Sequence, residues 1–315
     1  MGRLIGRRLL LMVPTLVLVS ILVFALAEVL PGDLGRSILG PYALQSQVTQ
    51  LDHKLGLDKP IYERYVQWAG HFVVGHWGDS LQFTTPVLPM VMRALANSLL
   101  LAGFALVIIV PTAVCLGVFA GLRRDSLLDR VTTVSSLSMT VIPEFVSGTF
   151  LILVFAVILH WLPVNAMPPQ GSTFVDRFYY LILPAIPLMF LELGYIARMA
   201  RVGTVQELNK PYIRTAVLKG LPGRRVVFGH LLRNAMVPTV TVIGSQVGWL
   251  IGGLVVVETL FVYPGIGFML IQAALFHDVP VLEACVLVIA VVYLFSNLIA
   301  DIIVALLNPR IRMGG

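Results

Sequence analysis

His71 and His76 come closer than any other two histidines in the chain to a metal-ligand spacing. Five residues apart, they miss the i, i+4 register that sets two imidazoles on one side of a helix, and no HExxH or GxSxG stretch occurs. A P-loop needs glycine directly before its lysine so that backbone amides cradle phosphate. None of Lys54, Lys59, Lys210 and Lys219 follows a glycine. Cys115 and Cys285 lie inside apolar runs, where a free thiol is a small apolar filler, so neither a disulfide framework nor a metal site is expected. Hydrolytic and ATPase chemistry therefore lack their residues. What remains is a set of acidic residues in or beside apolar runs, Glu192, Glu258, Glu283 and Asp301, and one basic stretch, "YIRTAVLKGLPGRR" at 212–225.

The elements that must position these residues are set by the solvent. The chain of 315 residues is 58% hydrophobic and 12% charged, outside the range of soluble domains. Crossing a hydrocarbon layer of about 30 Å takes about 20 mostly apolar residues. Six stretches qualify: 9–29, 97–120, 131–159, 178–198, 235–258 and 283–307. With the N-terminus inside, sixteen of the 22 Lys and Arg fall on cytoplasmic segments, which places both termini in the cytoplasm. The net charge of +6 is then a topology signal with some attraction to anionic lipid, and no nucleic-acid partner is expected. The Arg-rich start followed by "ALA" at 25–27 imitates a signal peptide, but the run from Leu9 to Ala27 is too long for one and reads as a retained anchor.

Three regions follow: an N-terminal segment and first span (1–30), an external region (31–96), and a five-helix core (97–315) that includes a cytoplasmic loop at 199–234. In the external region Leu44, Val48, Leu51 and Leu55 recur at helical spacing before Gly56. Pro60 then opens a second helix with Ile61, Tyr65, Trp68 and Phe72 on one face. The pair is either a lid on the bundle or a docking platform. A further external stretch, 259–282, has no Lys or Arg, and Pro264, Gly265 and Gly267 allow a sharp turn that could fold over a cavity mouth.

The cytoplasmic loop reads as two helices. Tyr212 to Lys219 holds good helix formers around small Thr215 and Ala216; Gly220 supplies a left-handed stop, and Pro222 forbids continuation. From Arg224 onward Val227, Leu231 and Ala235 form an apolar stripe leading into the fifth span. This is a rigid knob or an ordinary basic loop. Within the fifth span Gly244, Gly248 and Gly252 give a face for close helix approach, inside the subunit or between subunits. Thr241, Ser245 and Gln246 accompany it and could line a route, although such hydroxyls also bond to their own helix. Glu258 is either an outer gate or substrate-amine contact, or an interfacial cap. Pro14, Pro111, Pro143, Pro184, Pro187 and Pro238 would kink or start helices.

The stretch "YIRTAVLKGL…H…RNAMVP" resembles the EAA loop of ABC importer membrane subunits, with Arg214, Thr215 and Ala216 at the signature positions and Gly220 following. "RRLLLMVPTLVLVSILVFALAEVLPGD", "LGLDKPIYERYVQW", "GVFAGLRRDSLLDR", "GGLVVVETLFVYPGIG", "HDVPVLEA" and "DIIVALLNPRIR" extend the likeness over the whole chain. They resemble the first permease subunit of dipeptide, oligopeptide and nickel importers. Arg214 stands where many members have glutamate, and "FHDVP" lacks a basic residue before the aspartate, leaving His277 without an assigned role.

The resemblance implies an all-α polytopic type I importer permease with six transmembrane helices and a large external loop between the first two, in a bacterial or archaeal cytoplasmic membrane. It implies a coupling helix over 212–219 that docks in a separate ATPase: Tyr212, Arg214, Thr215, Ala216, Lys219, Gly220, Arg224 and Arg225 would carry that contact. Partners would be a second homologous permease, two ATPase subunits or domains, an external solute-binding protein and lipid. No cofactor is expected in this chain, ATP and Mg being bound by the ATPases. Peptide is the first expectation for substrate, nickel or another small solute the second, and a passive channel the alternative class.

Overall fold

The computed structural model describes residues 2–29, 42, 44–46, 49, 59–169 and 171–307. Most of the first external helix expected over 44–56 lies outside the described residues, as do Arg310 and Arg312. Apart from an isolated bridge between Asp79 and Pro86, the regular structure described is helical. Five helices are long and apolar enough to cross a membrane, six when one bent pair counts as a span.

Helix α1 runs Gly2–Val29 and α2 Ile61–Val73, the latter opened by Pro60. Helix α3, Val87–Leu122, has 36 residues and a length of about 54 Å at 1.5 Å per residue, so its outer turns stand well clear of a hydrocarbon layer of about 30 Å. Helix α4, Leu127–Val141, starts where the Ser126 side chain accepts from the Asp129 amide. Helix α5, Glu144–Leu151, continues as a π-helical turn over Ile152–Ile158. Helix α6, Phe174–Leu208, opens with a reciprocal cap between Thr173 and Asp176. Then come α7 (Pro211–Leu218), α8 (Gly223–Val226), a π turn over Val227–Leu231, α9 (Leu232–Leu260), α10 (Ile266–Leu275) and α11 (Val279–Leu307).

The third span differs from the continuous stretch expected over 131–159. Helices α4 and α5 meet at a bend of 102°. The cause is local: a residue before proline avoids the helical region, and Ile142 is extended with ψ 118° ahead of Pro143. Pro143 itself becomes the first cap of α5.

The core forms where α3, α6 and α9 meet, through Leu101, Ala105 and Ile109, Leu188 and Ile196, and Leu254 and Val257. Hydrophobicity alone does not drive helices together in lipid, so close backbone approach matters. A Cβ built on Gly117 would lie 2.2 Å from the Ala197 carbonyl oxygen, and one on Gly121 would lie 2.7 Å from the Thr204 Cβ. These two glycines, four apart in "GVFAG", hold α3 against α6. In α9, a Cβ built on Gly244 would lie 2.6 Å from the Ala300 Cβ of α11, so this glycine packs within its own chain. A Cβ built on Gly252 would meet nothing within 4 Å, so that position makes no close approach within the chain, and the surroundings of Gly248 lie outside the description. Arg8 pairs with Asp301 at 3.0 Å, which puts the described start of α1 and end of α11 at one end of the bundle.

Candidate functional site: a basic knob and an outer latch

Helix α7 is a short knob whose two sides are dissimilar. Ile213 and Ala216 are buried in a cluster with Val226, Leu231 and Ala235, packed against Leu122, Leu208 and Met236. Arg214, Thr215, Val217, Leu218 and Lys219 are exposed, Leu218 at 80%. The two small residues thus face opposite ways: Thr215 is on the surface and bonds back to the Pro211 carbonyl at 3.0 Å, whereas Ala216 serves the chain's own core. The exposed apolar tip, Val217 and Leu218, was missed by reading charge and small size alone. Hydropathy in a mostly apolar chain does not mark two such residues; only their exposure in the folded chain does.

Gly220 ends the knob with φ +73°, the left-handed conformation expected of it. Its amide donates to the Val217 carbonyl at 2.9 Å, and the Leu221 amide reaches Ala216. Arg224 and Arg225 are exposed on the following turn. Tyr212 fastens the other end: its hydroxyl donates to Glu207 at the end of α6 and accepts from the Asn234 side chain of α9 at 3.1 Å. Partial burial, with Glu207 adjacent, holds the Tyr212 phenol above its ordinary range. Helices α6 and α9 then run upward in contact, because Gly203 lets the Ala235 carbonyl approach. On the same end, Arg201 of α6 grips the Asp129 carboxylate of α4 with two donors, one at 2.8 Å. The knob is therefore joined directly to α6 and α9, and α6 in turn to α4.

The polar residues of α9 divide differently. Thr241 and Ser245 are exposed and donate to their own helix, at 3.0 Å to Val237 and 2.8 Å to Val242. Gln246 lies beside Glu192 of α6, yet neither Glu192 oxygen has a donor at hydrogen-bonding geometry. Glu192 is 1% exposed, and Glu144, at the α4–α5 bend, is its acidic neighbour.

At the opposite end Glu258 is fully buried and wholly engaged. It accepts from the Ser98 hydroxyl of α3 and from the amides of Gly267 and Phe268 at 2.8 and 3.2 Å, capping α10. Ser98 in turn accepts from the Ile266 amide at 2.8 Å. Asn97 donates to the Pro264 carbonyl, and the Tyr263 hydroxyl donates to the Asn97 carbonyl. Both carboxylate oxygens of Glu258 are taken up by its three donors, the Ser98 hydroxyl and the Gly267 and Phe268 amides. Gly265 is extended, not left-handed; a Cβ there would lie 2.2 Å from the Glu258 carboxyl, so the glycine makes room. A second carboxylate works alike: buried Asp278 accepts from the Ser80 hydroxyl and from the amides of Leu81 and Gln82. His277 beside it is an exposed turn residue with φ +57°.

The profile for the binding-protein-dependent transport system inner membrane component matches residues 113–313, and its N-terminal companion matches residues 1–116. The chain belongs to this permease family. The di/tripeptide transport system permease protein DppB of Pseudomonas aeruginosa is 37% identical over 98% of both chains. The oligopeptide transport system permease protein AppB of Bacillus subtilis is 36% identical over 99% of this chain and all of its own. The glutathione transport system permease protein GsiC of Escherichia coli K12 is 35% identical over 97% of each. As a member of the family, the chain is a multi-pass, non-catalytic permease subunit of an ABC importer in the cytoplasmic membrane. Importers of this kind work with a partner permease, separate ATPase subunits and a substrate-binding protein.

Proposed function

We propose that this permease pairs with a second, homologous permease to enclose a path for peptides, and that two separate ATPases drive it through α7. The substrate class rests on relatives named for di/tripeptide, oligopeptide and glutathione transport. The coupling role rests on one observation above others: α7 exposes Val217 and Leu218, with Arg214, Lys219, Arg224 and Arg225 exposed on it and just after it, while Ile213 and Ala216 are buried against α6 and α9. Val217 and Leu218 would seat in a groove of the ATPase, and the four basic residues would meet acidic groups at its rim. Gly220 fixes the angle at which the chain leaves the knob, and Tyr212 ties that angle to α6 and α9. Thr241 and Ser245, exposed on α9, would face the passage with Gln246; Gly244 holds α9 to α11. Glu258 acts on the gate by position, as the post around which residues 261–268 are folded.

Swinging a two-state passage from 1:99 to 99:1 takes about 5.5 kcal/mol of differential stabilisation. Exposed ion pairs at the knob contribute about 0–1 kcal/mol each, so nucleotide binding in the partner must supply the rest. The test is reconstitution in proteoliposomes with the second permease, the ATPases and the binding protein. Peptide uptake that requires ATP and all the subunits is the expected result. Uptake down a gradient by this chain alone would establish a passive channel instead.

A further inference from the structure

The external helix α2 has three kinds of surface. Tyr65, Trp68 and Phe72 form one face and pack inward: Tyr65 and Trp68 lie 5.6 and 5.4 Å from the Phe24 ring of α1, and Phe72 stacks on Trp77 at 4.5 Å. A polar arc of Glu63, Gln67 and His71 lies on the opposite side at 100° per residue. Between them Tyr62, Val66 and Val73 form an apolar flank that is 65–85% exposed. In water that flank would be a liability on a helix of only 13 residues.

The level of α2 along α1 shows what lies beside it. The Tyr65 hydroxyl bonds to the Ser20 hydroxyl at 2.8 Å, two turns inside the apolar run of α1 that ends near Glu28. Glu28 and Arg64 are paired at the upper edge of that run, each mostly shielded. At the same level, on the side of α1 turned away from Ser20, Leu22 and Leu26 are 53% and 64% exposed, residues of a membrane-crossing helix. The bare flank of α2 is thus at the level of the membrane-crossing run of α1. Aromatic residues clustered at one level, an ion pair at the boundary and a polar arc opposite an apolar one are the features of an interfacial helix.

We propose that α2 lies in the headgroup and acyl boundary of the outer leaflet, with Tyr62, Val66 and Val73 against lipid and Glu63, Gln67 and His71 facing water. The helix is then neither a free lid nor chiefly a protein-docking platform: it props α1 against the bundle from within the membrane surface.

Single nitroxides placed at Val66, Val73 and Gln67 of the complete transporter in phosphatidylcholine nanodiscs test this. Collision with oxygen should exceed collision with a water-soluble nickel chelate at positions 66 and 73, and the order should reverse at 67. Brominated acyl chains supply a second readout, with a fluorophore at 66 quenched and one at 67 not. The chelate dominating at 66 and 73 would show a solvated helix. Protection of both from either reagent would show a protein cover, such as the binding protein or the partner permease. Either result overturns the proposal.

Discussion

Gly203 of α6 sits so close to Ala235 of α9 that a Cβ on the glycine would lie 2.3 Å from the Ala235 carbonyl oxygen. This crossing stands directly above the knob, where Ala235 is also a member of the buried cluster that seats α7. Backbone on one side and backbone on the other leave no side chain free to yield. Gly203→Ala should therefore push α6 from α9, with an overpacking cost of about 1–3 kcal/mol. Uptake should fall while ATPase subunits still co-purify with the permease; wild-type uptake would remove this crossing from the transmission route.

At Gly220 the cause of intolerance is different. No atom lies within 4 Å of a built Cβ, so space is ample and only φ +73° resists substitution. Gly220→Val should cost about 1–2 kcal/mol in local strain, and Asn, which visits this region more readily, should cost less. Membrane insertion should be normal in both. Substrate-stimulated uptake should be lost in the valine variant and partly kept in the asparagine one, and equal activity of the two would contradict a conformational role.

Leu218 separates folding from docking because it is 80% exposed. Leu218→Asp should leave the stability of the isolated permease within about 0.5 kcal/mol of wild type, as surface changes do. It should weaken retention of the ATPase in a pull-down. Undiminished retention would move the contact elsewhere on the knob.

The outer latch predicts a paired result. Glu258→Ala leaves the amides of Gly267 and Phe268 and the Ser98 hydroxyl without their acceptor, at about 1–3 kcal/mol for each buried group so orphaned. Gly265→Ala attacks the same contact from the other side by crowding the carboxyl. Both should loosen residues 261–268 in hydrogen exchange, and the double variant should be less destabilised than the sum of the singles. Strict additivity would mean that the two residues act separately.

Glu192 makes the opposite prediction. Its carboxyl is buried and neither oxygen has a hydrogen-bond partner, so burial is uncompensated in this conformation. Burying an unpartnered polar group is costly, so replacing it with an apolar one of similar length should be neutral or stabilising. Glu192→Met should raise the melting temperature of the purified subunit; a fall would reveal a donor that reaches the carboxyl.

What the sequence determined by itself was whatever depends on a residue's near neighbours. Length of apolar run fixes whether a helix can cross a bilayer, so the spans were legible to within several residues. Gly220 followed two residues on by Pro222 is a local stop, and Pro60 is a local start, so both the knob and the helix after Pro60 were legible too. The break at Pro143 was written in the same local terms, but an unbroken hydropathy signal across it concealed the bend. The tertiary structure alone decided which side of each helix meets which neighbour. It sends Ala216 inward and Leu218 outward and makes "GVFAG" a close crossing of α3 with α6. It also turns Glu258 into a cap held by Ser98, 160 positions away. In a chain so apolar, the inward and outward faces of a helix are nearly alike in composition, and periodicity has little contrast to work with. Only the close approach of distant backbones distinguishes them.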